Sequence, residues 1–223
     1  GGGRVDLFKK ELRSVFRWIV WLALPIAVIT FFARGYVVAF IKNGGQPAIA
    51  SVLGALVISI FFRTLYHIMA RTFYAQQDTR TPLYISIATI SLNIILAIVF
   101  TQLFGWGVFG LAWAQSIVSV VEIAILLTIL HVRTPGIFNR KTLRSIITMM
   151  IASAIMGVVT YFVVQMLQLQ SRDMNFMAVF PKFTVIVVVS FAVYIALSKV
   201  FKLEEADPIV AKLRQLLFGR VRR

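Results

Sequence analysis

The sequence contains no cysteine, which excludes disulfide bonds and thiolate metal sites. Two histidines and eight acidic residues are too few to predict a metal centre or a catalytic carboxylate pair, so we expect neither metal nor cofactor. Charged residues make up only 14% of the 223, whereas soluble domains carry about 25%. Hydrophobic residues instead amount to 60%, with a mean hydropathy of +0.89. These values predict an integral membrane protein.

Six apolar runs are each long enough to cross a bilayer, which takes about 20 residues in a helix. Short connectors separate them and leave no room for a soluble domain. The predicted fold is therefore all-α, a polytopic membrane protein with six transmembrane helices. The six runs are Trp18–Ile41, Ala48–Tyr74, Leu83–Phe104, Val108–His131, Ser145–Gln168 and Phe183–Phe201.

The runs and connectors divide the chain into five predicted parts: an amphipathic head (1–17), a four-helix part (18–131), a basic loop (132–144), two additional spans (145–201) and a basic tail (202–223). Two prolines carry local predictions. Pro25 lies inside the first run and is expected to kink it. Thr81 and Pro82 are typical of an N-cap and first residue, and predict the start of the third helix.

Basic residues predict the orientation of the chain. The net charge is +15, and eighteen of the 23 Lys and Arg residues fall on the side that holds both termini. Because cytoplasmic loops are enriched in Lys and Arg, we expect both termini, and therefore the head, basic loop and tail, in the cytoplasm. The positive charge then contacts anionic lipid rather than nucleic acid.

Polar residues recur at helical spacing inside the second, third and fourth runs, whereas the fifth and sixth contain no ionisable residue in their cores. Charges inside a span usually face a bundle interior or a hydrated cavity. We therefore predict a cavity lined by the second to fourth runs. Its candidate residues are Arg63, His67, Arg71, Asn93, Gln115 and Glu122.

Two interpretations of these residues stay open at the level of sequence. Arg63 and Glu122 either neutralise each other across the bundle or contact a ligand. His67 is either a hydrogen-bonded interior residue or a proton carrier. A ligand of Arg63 and Arg71 would be an anion such as phosphate, because the planar guanidinium suits it. No nucleophile–base pair or phosphate-binding glycine loop is present, so an enzyme is not expected.

The stretch Arg71–Pro82, read as RTFYAQQDTRTP, resembles the cytoplasmic loop of the MurJ/MviN family of lipid II flippases in the MOP superfamily. Two shorter stretches support the resemblance: Leu22–Pro25, similar to a proline-bearing span of the family, and Gly107–Ala112, similar to the helix start after its short hairpin turn.

The resemblance implies fourteen spans in two lobes that work by alternating access, of which this chain matches the last six. Residues 18–131 would be four helices of the C-terminal lobe. Residues 145–201 would form a hydrophobic groove for a polyprenyl tail. The N-terminal lobe and two spans of the C-terminal lobe have no counterpart in this sequence. We therefore expect either a fragment of a longer transporter or a lobe supplied by a separate chain.

The implied function is part of a flippase that moves lipid II, an undecaprenyl-diphosphate-linked peptidoglycan precursor, across the bacterial cytoplasmic (inner) membrane. Arg63 and Arg71 would contact the diphosphate, or structural acids instead. Pro25 would permit bending, and Asp78, Arg80 and Pro82 would form a structural loop and hinge. The alternatives are a flippase for another polyprenyl-linked oligosaccharide and a non-transporting scaffold for cell-wall assembly.

Overall fold

The computed structural model describes residues 2–41, 46–167, 176–209, 211 and 212, with side chains from Asp6 onwards. Apart from turns, the described residues are helical. The helices are α1 (Gly2–Phe32), α2 (Arg34–Ile41), α3 (Pro47–Ala75), α4 (Arg80–Ile98) with a π-helical turn (Val99–Leu103), α5 (Gly107–Arg133), α6 (Arg140–Met166) and α7 (Phe176–Val200). The last eleven residues of the predicted tail lie outside the described residues.

Six helices in the described part of the chain are long and apolar enough to cross a membrane. The prediction of an all-α, six-span, multi-pass membrane protein is confirmed. The spans are Asp6–Phe32, Pro47–Ala75, Arg80–Leu103, Gly107–Arg133, Arg140–Met166 and Phe176–Val200.

The first span differs from its predicted boundaries. Helix α1 continues from Gly2 through Pro25, so the head is not separated from the span by a break. The helix instead ends at Phe32, and α2 begins at Arg34. The side chain of Arg34 explains the position of this break, because its Nη1 donates to the carbonyl of Phe31 at 2.7 Å. A basic side chain that satisfies a terminal carbonyl stabilises a helix end.

The helices pack in the lateral order α4, α5, α3, α1, α6, α7, with α2 against α3 and α7. The central helices α1, α3, α5 and α6 meet in the main core, where Trp21, Met69, Phe73, Leu126 and Met149 are almost fully buried. Helix α4 is largely exposed and rests mainly on α5. The chain therefore has a packed centre and an open outer face on α4.

The α4–α5 hairpin depends on a glycine at its contact point. A Cβ atom at Gly110 would lie 2.9 Å from the Cβ of Phe100 and 3.0 Å from its carbonyl carbon. Only a residue without a side chain permits this approach of the π-helical turn to α5. The hairpin between α4 and α5 therefore depends on this close approach, with α5 starting at Gly107.

Helices α3 and α7 both end in Schellman motifs, although neither has the usual glycine. The left-handed positions are Gln77 (φ 61°) and Lys202 (φ 55°). After α3, the amide of Asp78 donates to the carbonyl of Phe73 at 2.9 Å, and after α7 the amide of Leu203 donates to Ser198 at 2.9 Å. Each motif reverses the chain and returns it over the bundle.

The left-handed backbone of Lys202 predicts a stabilising substitution. An L residue in this conformation costs about 1–2 kcal/mol, which glycine avoids while losing more chain entropy on folding. We expect Lys202→Gly to raise the free energy of unfolding by about 1 kcal/mol in detergent denaturation. Lys199→Gly, inside α7, should lower it by about 1 kcal/mol. Equal effects of the two glycines would contradict the interpretation.

The segment that follows α7, Phe201–Ala206, is called the strap here because it ties three helices together. Arg17 of α1 contacts Glu205 (Nε to Oε1, 2.6 Å) and Glu204 (Nη1 to Oε2, 3.2 Å). Lys141 of α6 reaches the other oxygen of Glu204 at 2.7 Å. Leu203 and Ala206 of the strap are buried in the main core. One end of α6 and one end of α7 are therefore held to the middle of α1.

Candidate functional site

A polar cavity of about 160 Å³ opens between α3, α4 and α5. Four of the six predicted cavity residues line it. Helical spacing explains this, because positions three and four apart share a face. The lining residues are Arg63, Tyr66, His67, Ser86, Thr89, Ile90, Asn93, Val118 and Glu122.

Gln115, the fifth predicted residue, joins α3 to α4. Its amide lies between the guanidinium of Arg63, with Nε at 2.7 Å, and the amide of Asn93 at 2.5 Å. A guanidinium only donates, so the oxygen of Gln115 faces Arg63 and accepts from both Nε and Nη2. The chain Arg63–Gln115–Asn93 crosses all three helices and fixes the guanidinium at the cavity wall.

Glu122 does not pair with Arg63. Its side chain is buried, with 7% of the residue exposed, and its Oε1 lies 3.2 Å from the hydroxyl of Thr89. The guanidinium of Arg63 instead contacts the neutral amide of Gln115. Among the residues that the structure describes, no carboxylate lies within ion-pair distance of Arg63.

The other two basic residues predicted on the polar face of α3, His67 and Arg71, lie in different surroundings. His67 lines the cavity one turn beyond Arg63, its ring edge-on to Tyr66 at 5.8 Å. Arg71 is exposed on α3 one turn further along and does not line the cavity. The structure therefore brings Arg63, His67, Asn93 and Glu122 together with Gln115, and leaves Arg71 outside.

Tyr66 is a cavity residue that the sequence analysis missed. Its hydroxyl lies 2.9 Å from the hydroxyl of Ser86 and 3.3 Å from the carbonyl of Pro82, so it links α3 to the start of α4. Tyr66 stands three residues after Arg63, a spacing that places it on the same helix face. The spacing could have predicted Tyr66 as a cavity residue. It did not stand out because tyrosine is common in apolar spans.

Serine side chains form hydrogen bonds between α3 and α5 next to the cavity. The hydroxyl of Ser116 donates to the carbonyl of Ala55 at 2.6 Å, and Ser59 lies 2.9 Å from Ser119. All three serines are buried. Small polar residues of this kind let membrane helices approach closely and satisfy each other's hydrogen bonds. They set the distance between the helices that carry Arg63 and Glu122.

The side chain of Asp78, and not that of Thr81, accepts the hydrogen bonds of the free amides at the start of α4. Oδ1 of Asp78 accepts from the backbone amides of Arg80 (3.1 Å) and Thr81 (3.0 Å), and Arg133 at the end of α5 contacts Oδ2. Helix α4 starts at Arg80, so the predicted N-cap at Thr81 and first residue at Pro82 were wrong by two residues. The side chain of Arg80 is exposed, and Pro82 is buried.

Asp78 makes the stability of this loop sensitive to acid. Hydrogen bonds from the Thr81 hydroxyl and amide, then from Arg133, hold the pKa of Asp78 well below its usual value of 3.8. Stability from a lowered pKa is present above the ordinary value and is lost as the pH falls below it. We expect Asp78→Asn to reduce the loss of thermal stability between about pH 5 and pH 2. Arg133→Gln should share part of this effect, and an unchanged profile in both variants would refute it.

A second cavity, entirely apolar and about 690 Å³ in volume, lies on another side of α3. Its wall includes Phe61, Phe62 and Leu65 of α3, together with residues of α1, α5, α6 and the α5–α6 connection. Of the two additional spans, α6 contributes to this cavity and α7 does not. The hydrophobic groove expected from residues 145–201 stays a prediction.

The two cavities together suit an amphiphile. One offers hydrogen-bond donors and an unpaired guanidinium charge, and the other offers only apolar surface. Within the described residues, no group of His, Asp and Glu side chains is arranged to hold a metal ion.

Comparison with known proteins identifies the family of the chain. The family model described as lipid II flippase MurJ matches residues 3–181. A relative in Thermotoga maritima, named a probable lipid II flippase MurJ, is 28% identical over 92% of this chain and 40% of its own length. One of the same name in Vibrio cholerae is 27% identical over 60% of this chain and 24% of its own. The Arabidopsis thaliana protein DETOXIFICATION 36 is 26% identical over 52% and 24%, respectively.

The chain thus spans less than half the length of each of these curated relatives. The family match covers most of the chain, from α1 into α7, and includes both cavities. On this evidence, the chain belongs to the lipid II flippase MurJ family.

Proposed function

We propose that the chain forms part of a lipid II flippase that works by alternating access in the bacterial cytoplasmic membrane, with both termini in the cytoplasm. The single observation that carries this is the charge of Arg63, which faces a cavity within a span and has no carboxylate partner in the described part of the chain. An unpaired charge at this depth is costly, and such residues mark substrate pathways.

Helix α3 presents two different surfaces to such a substrate. Arg63 and His67 face the polar cavity, while Phe61, Phe62 and Leu65 face the apolar one. Successive residues of a helix point about 100° apart, so one helix can separate a polar head group from its lipid tail. Lipid II has this composition, with a diphosphate joined to a long polyprenyl chain.

Several of the described residues would act on the lipid or support the residues that do. Arg63 contacts the diphosphate, and Gln115 and Asn93 hold its guanidinium in place. Arg71 contacts the same group as it enters or leaves. Asp78, through Arg133, keeps the α3–α4 connection in position, and Pro25 permits bending of α1. The basic end of the bundle contacts anionic lipid. A lobe from the same or another chain supplies the opposite wall of the pathway.

A binding experiment tests the proposal on the purified protein. Native mass spectrometry with lipid II, undecaprenyl diphosphate and undecaprenol should show binding of the two diphosphates and at least tenfold weaker binding of the alcohol. Equal binding of all three would reduce the site to an apolar groove. If none of the three lipids binds, the non-transporting scaffold becomes the better proposal for the function of the protein.

A further inference from the structure

Arg34 is a basic residue that the proposed function does not use, and its side chain lies folded against the bundle. Its Nη1 donates to the carbonyl of Phe31 at 2.7 Å, and its guanidinium carbon lies 4.8 Å from the centre of the Phe31 ring. This cation–π contact holds the planar group over the ring. The side chain of Arg34 is only partly exposed, so its charge stays close to the surface of the bundle.

Gly54 of α3 leaves space for this arrangement. A Cβ atom at Gly54 would lie 3.0 Å from Cδ of Arg34 and 3.3 Å from its Nε. The arginine side chain therefore crosses α3 at the one position of that turn where no side chain stands in its way. Phe31 on one side and Gly54 on the other together fix the position of the guanidinium.

Most of the hydrogen-bonding capacity of this guanidinium is unused within the described residues. A guanidinium has five N–H groups, and the bond to the carbonyl of Phe31 uses one of them. In the same part of the chain, no carboxylate lies within ion-pair distance of Arg34. A planar group with several donors suits a phosphate.

The guanidinium lies at one end of the large apolar cavity. Phe31, whose ring it covers, lines this cavity, and so does Val57, one turn after Gly54 on α3. On α1 the lining residues extend from Phe16 to Phe32, a length of about 24 Å at the rise of an α-helix. The volume of about 690 Å³ is within the usual range of ligand sites. The site is thus a long apolar space with a positive charge at its end.

The depth of this end in the membrane favours a lipid of the bilayer. Helix α3 has 29 residues and is about 43 Å long, more than the ~30 Å of the hydrocarbon core. Gly54 lies about 10 Å from the start of α3, and therefore near the boundary between the core and the head groups. Each leaflet supplies about half of the core, roughly 15 Å, so an acyl chain that descends from this level fits within the length of the cavity.

We propose that Arg34 and the apolar cavity together bind a membrane phospholipid. Its phosphate contacts the remaining N–H groups of Arg34, and one acyl chain lies in the cavity along α1 and α3. In the proposed orientation this lipid comes from the outer leaflet. The polyprenyl tail of a transported lipid would have to displace it from the cavity, a consequence that rests on the proposed function.

Native mass spectrometry of the full chain tests this site with phosphatidylglycerol and with diacylglycerol, which has the same chains and no phosphate. The wild type should bind phosphatidylglycerol at least tenfold more tightly, because hydrogen bonds between charged groups contribute at least that factor. Arg34→Gln should lose most of this preference. Arg144→Gln, which removes an exposed charge from α6, should keep it. Equal binding of the two lipids by the wild type, or an equal loss in both variants, would overturn the proposal.

Substitutions that keep the charge of Arg34 locate the lipid. Gly54→Leu fills the space that the arginine side chain occupies, so it should weaken binding of phosphatidylglycerol as Arg34→Gln does. Ile58→Trp fills part of the apolar cavity and should weaken binding of both lipids. Thermal unfolding in detergent shows which variants are folded. Wild-type affinity in folded Gly54→Leu and Ile58→Trp would place the lipid elsewhere and refute the site.

Two comparisons separate this proposal from the proposed function. Arg63 faces the polar cavity and not the apolar one, so Arg63→Gln should bind phosphatidylglycerol as the wild type does. Phosphatidylglycerol binding that depends on Arg34, in a protein that binds no undecaprenyl diphosphate, would refute the flippase role alone. Binding of undecaprenyl phosphate that depends on Arg34, without binding of phosphatidylglycerol, would assign the site to the carrier lipid and overturn the phospholipid proposal.

Discussion

Arg63→Gln is expected to weaken binding of a polyprenyl diphosphate about 10- to 100-fold. Hydrogen bonds to charged groups contribute about 1.5–3 kcal/mol, and about 1.4 kcal/mol corresponds to a factor of ten. The glutamine retains polarity at the cavity wall but removes the only guanidinium that lines it. Native mass spectrometry or a fluorescence titration with undecaprenyl diphosphate gives the affinity, and transport of lipid II in the native membrane should fall with it.

Two further variants make this result specific. Arg63→Lys keeps the charge and loses the planar fork, so its affinity should lie between those of the wild type and the glutamine variant. Arg144→Gln removes an exposed positive charge from α6, far from the cavity in the helix order, and should bind as the wild type does. A uniform loss in all three variants would indicate attraction by net charge alone and would contradict a site at Arg63.

Glu205→Leu is expected to lower the free energy of unfolding by up to about 3–5 kcal/mol, because it leaves the largely buried Arg17 with only the exposed Glu204 as an anionic partner. The side chains are only 12% (Arg17) and 4% (Glu205) exposed, and they lie 2.6 Å apart. The strap would then hold α1 less tightly, and unfolding in detergent should start at a lower temperature.

Removal of both charges supplies the decisive control. A buried pair replaced by apolar residues of similar volume is often neutral or stabilising, so Arg17→Met combined with Glu205→Leu should recover most of the loss. Glu204→Gln breaks more exposed contacts and should cost no more than about 1 kcal/mol. If the double variant were as unstable as the single one, the side chains would matter through packing rather than charge.

The spans and the polar face of α3 could be predicted because both follow from local spacing. A helix of about twenty apolar residues is expected to cross a membrane. Residues four apart share a side of that helix whatever their neighbours are. This is why Arg63 and His67 were placed correctly together. Arg71 follows the same spacing, but it lies beyond the end of the cavity, a limit set by where α4 packs.

Contacts between distant parts of the chain could not be predicted in this way. The partner of Arg63 depends on which side chain of α5 lies beside its guanidinium. The amide of Gln115 contacts the guanidinium, and the carboxyl group of Glu122 does not. Arg17 and Glu205 meet only because the Schellman motif at Lys202 turns the chain back over the bundle. Because the left-handed position is occupied by a lysine and not by a glycine, the local sequence does not predict that turn.

The size of the polar cavity bears on what this protein can discriminate. At about 160 Å³ it holds roughly five water molecules of about 30 Å³ each, well below the 300–1,000 Å³ of common ligand pockets. The wall around Arg63 therefore offers a polar surface too small for a whole sugar–peptide head group. In the proposed function, recognition of that head group would come from surfaces that face the cavity from elsewhere.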